Sequence, residues 1–428
     1  MDGPKKTDTG ESIVKTLLIL PLLLLQLLLP AFAAAESAAQ PGSIISVMHE
    51  KGYLPHVLRQ QTATLFENFG VPDADYAVDR YWIRFHSTDF DGSEAVVRAQ
   101  LYVPRFDQPT ERPLLVFGAG TTGIAERCAP ILEVPERNRW GWYVANMLAY
   151  AGKGYIVIFP EYLGFGDPDT PQRYFSKVAE GRVMLDAIRA GYNFFQHGYH
   201  NRASAVRPSQ TVFAAGYSQG GHAAHAAADL RPDYAPEVPL SGLIGFGQTN
   251  CVATLMREMA YYAPYIIYTY AEMYGYDEID PADYLQPKWL ATLQQDMFRF
   301  CVEEFQHYYP RDGKDLYTEA FHRALTDGEQ RLAVEFPAMA ARLEENMAGL
   351  SGHGIPTLVL HGEDDIIVST AAQTRFVQQL CGRDSAVQFV IMPGARHSDT
   401  RPAGFKYSLE WMELLTRGEA PPDDCPLE

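Results

Sequence analysis

Thr211-Val212-Phe213-Ala214-Ala215-Gly216-Tyr217-Ser218-Gln219-Gly220-Gly221-His222-Ala223-Ala224 is the stretch on which the fold turns. A short apolar run enters, Gly-x-Ser-x-Gly follows, and an Ala-rich segment leaves. Alone, the five-residue pattern is weak, because Gly and Ser are common enough to produce it by chance in about one chain of this length in five. Its setting gives it meaning. A sharp strand-to-helix turn would hold the Ser218 hydroxyl exposed, and only small flanking residues permit such a turn. The helix that starts there favours negative charge at its N-terminus, where attack on a carbonyl would develop it.

The same strand-and-helix alternation extends in both directions. Upstream, 113–117 and 155–160 read as buried strands, with helical periodicity over 142–151 and 178–196. Downstream, 211–215 leads to a helix over 219–230, and 240–246 is again strand-like. After a gap come strands at 356–361 and 387–392, and helices near 371–381 and 405–416. This order predicts an α/β-hydrolase fold, a mostly parallel sheet with helices on both faces. Residues 79–88 and 94–104, separated by Asp89-Phe90-Asp91-Gly92, predict an antiparallel hairpin at a sheet edge. Residues 44–69 read as a helical lead-in. Between 251 and 350 the sequence is helical and rich in aromatics, which predicts a cap or lid inserted into a core made of 36–250 and 351–428.

A serine hydroxyl needs a base to become a nucleophile, and the base needs an acid to orient it. In this fold both follow the serine in the chain. His361-Gly362-Glu363-Asp364-Asp365-Ile366-Ile367-Val368 ends one strand, and Asp365 fits the acid of G-x-x-D-x-x-V. Glu363 and Asp364 stand beside it as competing carboxylates. His397, in Gly394-Ala395-Arg396-His397-Ser398, lies on the loop after the last strand, where a general base belongs. The oxyanion donors are expected at the backbone N–H of Gln219 and at that of Thr121, in the loop Gly118-Ala119-Gly120-Thr121-Thr122-Gly123.

That loop also spells G-x-G-x-x-G, and Glu161 ends the next strand, so a dinucleotide-binding oxidoreductase is the rival enzyme class. Glu161 lies well beyond the interval of about 20 residues which that fingerprint requires, and Cys128-Ala129-Pro130 does not open a helix. A catalytically inactive hydrolase-fold binding protein is the third reading, against which an intact Ser, acid and His argue. His197 and His200 are three apart with no accompanying carboxylate motif, so no metal is expected, and the chemistry requires no cofactor. His222 and His225 read as packing residues.

Composition narrows the partners. A net charge of −18 opposes a phosphate-binding surface, so no nucleic acid is expected. Lys5, Lys6 and Lys15 precede an apolar run over 17–35 that ends in small residues. This predicts a secretory signal peptide over 1–35, cut between Ala33 and Glu36, and hence a periplasmic or extracellular protein. An uncleaved membrane anchor is the competing reading, but Pro21 and Pro30 interrupt the run. In an exported chain the five cysteines permit two disulfides and one free thiol.

Several segments together resemble the secretory lipase family, the lipase A-like branch of the α/β hydrolases. They are GTTGIAERCAP (120–130), FPEYLGFG (159–166), EGRVMLDAIRA (180–190), GYSQGG (216–221) and the acid and His segments. The resemblance covers most of the chain after the leader. It implies a carboxylic-ester hydrolase for lipid or lipid-like esters, in contact with lipid interfaces and with no obligate protein partner. It further implies a helical cap over an acyl tunnel, in which Tyr261–Tyr270 (YYAPYIIYTY) would line the pocket or form ordinary core. By the same analogy Cys128 pairs with Cys301 and Cys381 with Cys425, leaving Cys251 a buried thiol. Two departures from the family pattern stand out: Ala119-Gly120 where relatives often have His-Gly, and Pro160-Glu161-Tyr162 where they often have Pro-Asp-Tyr.

Overall fold

In the computed structural model the sequence between Val206 and Phe246 forms a strand, a turn, a helix and a second strand. The structure describes Met1 and residues 39–135, 137–200, 204–383 and 385–426. The expected leader, Met1 apart, lies outside them. Nine strands among these residues make one sheet: β1 (Ile44–Tyr53), β2 (Val78–Thr88), β3 (Glu94–Pro104), β4 (Thr110–Gly118), β5 (Ile156–Pro160), β6 (Val206–Tyr217), β7 (Leu240–Phe246), β8 (Thr357–Gly362) and β9 (Val387–Met392). Their order is β1-β2-β3-β5-β4-β6-β7-β8-β9. From β5 to β9 every neighbouring pair is parallel, whereas β1, β2 and β3 pair antiparallel.

The central strands are covered on both faces, which explains their unbroken apolar runs. Leu114 to Phe117 in β4 and Ile156 to Phe159 in β5 are all fully buried. β8 shows the two faces directly, because successive side chains point to opposite sides. Val359 packs with Phe376, Val377 and Leu380 of the helix Thr370–Cys381. Leu360, its neighbour, stands where Gly404 lets the helix Thr400–Thr416 come close; a Cβ there would lie 2.8 Å from Leu360.

The hairpin forms as expected, in unbroken register from Val78↔Pro104 to Thr88↔Glu94. The helical lead-in does not. Residues 44–53 are β1, an edge strand on β2, and only Pro55–Thr62 is helix. Two register irregularities, at Ile44/Ser46 and His49/Lys51, disturb the twofold alternation of a strand. Burial then recurs every third residue, at Ile44, Val47 and Glu50. That period imitates a helix.

Between β7 and β8 the chain runs through short helices, from Val252–Glu258 to Pro337–Glu345, and its one strand-like contact is a bridge between Leu285 and Tyr317. This helical insertion belongs to the same compact unit, Gln40–Glu428, as the sheet. Cys128–Cys301 fastens it to the loop after β4, and Cys381–Cys425 fastens the tail to the helix Thr370–Cys381. Both pairs are those the resemblance implies. Cys251 is free as expected, but half-buried rather than buried.

Candidate active site

Ser218 sits between β6 and the helix Gln219–Tyr234 with φ 52° and ψ −114°, in the left-handed half of backbone space that a non-glycine residue rarely enters. The end of β7 and the loop after it hold it there. The Ser218 N–H donates to the Phe246 carbonyl at 2.9 Å, and the Thr249 N–H donates to the Ser218 carbonyl at 3.2 Å. Small residues make the turn possible. A Cβ on Gly216 would lie 2.0 Å from the Gly220 carbonyl carbon, and one on Gly220 would lie 2.0 Å from the Gly118 oxygen. No side chain fits at either position, which is the physical content of the Gly-x-Ser-x-Gly pattern.

His397 and Asp365 come from loops after β9 and β8. The Nδ1 of His397 is 2.7 Å from Oδ2 of Asp365. Oδ1 of Asp365 accepts the backbone N–H groups of Ile367 and Val368 at 2.8 and 2.9 Å. Burial works to raise this carboxyl, but the His397 ring and the two N–H bonds outweigh it and hold it below the ordinary carboxylate value. The pair stands next to the serine turn: a Cβ on Gly247, which follows Phe246, would be 3.0 Å from His397 Nδ1 and 3.3 Å from Asp365 Oδ2. The other two acids go elsewhere. Asp364 is exposed, and Glu363 accepts the Gly394 N–H at 3.1 Å.

The loop expected to supply the second oxyanion donor is held by tyrosines that the sequence did not single out. The Gly120 N–H donates to the Tyr143 hydroxyl at 2.8 Å. The Tyr162 hydroxyl donates to the Ala119 carbonyl at 2.8 Å. Thr121 Oγ1 and the Tyr174 hydroxyl lie 2.7 Å apart. The Val302 N–H of the insertion donates to the Thr122 carbonyl at 2.9 Å. Tyr162 occurs within the segment FPEYLGFG that carries the family resemblance, whereas nothing in the sequence marks Tyr143 or Tyr174. Arg401, 3% exposed, lies 4.3 Å over the Tyr217 ring and 5.2 Å over that of Tyr143, and Tyr217 in turn packs 5.0 Å from the His397 ring.

The nucleotide-binding reading of the same loop fails on geometry. A short 3-10 turn, Glu126–Cys128, follows it instead of the helix that would receive a pyrophosphate. Glu161 is 1% exposed and bonded to Arg98 Nε at 2.5 Å, so it is not free for a ribose. Burial pushes its carboxyl up to about 8, with Arg98 pulling it part of the way back.

A mostly parallel sheet with a serine on the turn after β6, and an Asp–His pair beyond the ends of β8 and β9, defines an α/β-hydrolase fold. Residues 143–423 match the secretory lipase family, and the chain belongs to it. A secreted triacylglycerol lipase of Malassezia furfur is 26% identical over 289 residues, 64% of this chain and 50% of that protein, so the chain matches about half of that relative's length. Candida antarctica lipase A superposes with a TM-score of 0.66 at 18% identity, covering 90% of this chain and 84% of that one. The rice cell wall degrading esterase LipA of Xanthomonas oryzae superposes with a TM-score of 0.65 at 18% identity, covering 88% and 97%. At such identities these two likenesses concern the fold. Among the described residues no helix is long and apolar enough to cross a membrane.

Proposed function

We propose that the chain is an exported serine hydrolase of carboxylic esters, acting on lipid or lipid-like esters. The hydrogen-bonded Asp365–His397 pair beside the strained Ser218 turn carries this reading. Ser218 Oγ attacks the ester carbonyl while His397 Nε2 takes its proton, and Asp365 stabilises the imidazolium that results. The Gln219 N–H, in the first turn of its helix and so without an intrahelical partner, donates to the oxyanion, joined by the Thr121 N–H. The alcohol leaves with the proton from His397, and water then cleaves the acyl-enzyme. Family membership and relatives named as triacylglycerol lipases support the substrate class.

The insertion covers the site and sets which acyl chains are accepted. Each methylene taken into an apolar pocket contributes about 0.8 kcal/mol, so several of them separate long esters from short ones strongly. Ile266 and Ile267 are fully buried in the helix Ala263–Tyr274. Turnover measured over p-nitrophenyl esters from acetate to palmitate should depend on chain length, and Ile266→Trp or Ile267→Trp should shift the optimum toward shorter esters with acetate turnover little changed. No hydrolysis of any ester in the series would contradict the proposed activity. Unchanged chain-length profiles in both variants would assign the stretch to structural core.

A further inference from the structure

Under the first turn of the helix that follows Ser218 lies a buried carboxyl–imidazole pair to which the ester chemistry gives no role. Glu180, on the helix Lys177–Gln196, and His222, on the helix Gln219–Tyr234, are 1% and 0% exposed. His222 Nδ1 is 2.6 Å from Glu180 Oε2, and its Nε2 is 2.7 Å from the backbone carbonyl of Asn346. Glu180 Oε1 accepts the side-chain amide of Gln219 at 2.7 Å and the Phe175 N–H at 3.0 Å. The two helices come this close because Gly181 has no side chain; a Cβ there would lie 2.8 Å from the backbone of Ala226.

Counting protons shows what the pair is. The Asn346 carbonyl can only accept, so Nε2 of His222 carries a hydrogen. Nδ1 faces a carboxylate oxygen, so a second proton lies between the two groups. The pair is therefore an imidazolium with a carboxylate, or a neutral imidazole with a carboxylic acid, and it is neutral as a unit either way. Such a pair is costly to leave half-made in a dry interior, so it locks the geometry of everything bonded to it. On one side it is bonded to Gln219. On the other it is bonded to Asn346, just past the insertion's last helix, Pro337–Glu345, whose side chain accepts the Lys177 N–H at 2.9 Å and donates to the Tyr274 hydroxyl at 2.8 Å.

We propose that Glu180 and His222 are positioning residues that aim the oxyanion donor Gln219, and that the insertion completes this support through Asn346. The proposal rests on the ester-hydrolase reading above. It makes the insertion part of the catalytic support as well as a cover, since Asn346 closes the hydrogen-bond chain that ends at Gln219.

The test is steady-state hydrolysis of p-nitrophenyl butyrate by the full chain and its variants, with Ser218→Ala as baseline and thermal melting alongside. Glu180→Ala should lower kcat by about 100-fold, comparable to losing an oxyanion donor, and change KM little. Glu180→Gln should restore most of the activity, because its amide can accept from Gln219 and donate to a neutral His222. Gln219→Ala keeps the backbone donor but cuts its tether, and should lower kcat by roughly tenfold at little-changed KM. Glu180→Ala costs more because it also unpairs His222, and the double variant should be no slower than it, since Glu180→Ala has already broken the tether that Gln219→Ala removes. A Gln219→Ala kcat within about twofold of the parent would overturn the proposal whether or not Glu180→Ala folds. Absence of Ser218-dependent turnover in the parent would instead refute the ester reading, before any variant is compared.

Discussion

Replacing His397 with alanine should lower ester turnover by about 10⁴- to 10⁶-fold while the protein stays folded. The loss is large because the imidazole acts twice, accepting the serine proton and then delivering it to the leaving alcohol. Its hydrogen bond to Asp365 and its ring contact with Tyr217 are the contacts the fold would lose. They lie at the ends of the strands rather than in the middle of the sheet, so the melting temperature should fall only modestly. Comparing kcat/KM for p-nitrophenyl butyrate with the thermal midpoint separates the two effects. A variant that keeps a tenth or so of the parent activity would remove His397 from the base role.

Asp365→Asn should cost about 10⁴-fold in kcat. The reason lies in the three bonds the carboxylate accepts. Oδ1 takes the Ile367 and Val368 N–H groups, and Oδ2 takes His397 Nδ1. An amide has only one oxygen. If that oxygen keeps the two backbone bonds, the NH₂ group faces His397 and forces the tautomer whose Nε2 carries a hydrogen and cannot accept from Ser218. If the amide turns round, its NH₂ group meets two N–H donors. Asp364→Asn, one position earlier on an exposed side chain, should leave kcat within about twofold. A larger loss in Asp364→Asn than in Asp365→Asn would move the acid to the neighbouring carboxylate.

The parallel core was legible in the sequence because burial on both faces demands continuous apolar runs. β7, inside the sheet, coincides with the strand read at 240–246. The edge was less legible. β1 is half-solvated and irregular in register, so its apolar residues recur with a helical period. Ser218, Asp365 and His397 were readable because each occupies a strand end within a recognisable local pattern. The choice among three adjacent acids rested on a pattern rather than on geometry, and the hydrogen bond to His397 falls on Asp365 alone among the three.

What supports the site was mostly hidden. Tyr143 and Tyr174 look like core aromatics until the loop of Gly120 and Thr121 is folded against them. His222 reads as a packing residue, yet it is held by hydrogen bonds at both ring nitrogens, to partners 42 and 124 residues away in the chain. His225, three residues on, does fit the packing description, with its ring edge-on to Phe376 at 5.2 Å and one polar partner, Gln248 Oε1, at 3.2 Å. Long-range polar pairs of the first kind leave no periodic trace in a sequence.

Covalent trapping decides whether Ser218 is the nucleophile. A fluorophosphonate probe incubated with the folded chain should add once per molecule, on the peptide that contains Ser218, with hydrolysis lost in step. Ser218→Ala should take no label and hydrolyse no ester above background. An adduct mapped to another serine, or undiminished hydrolysis by Ser218→Ala, would place the nucleophile elsewhere.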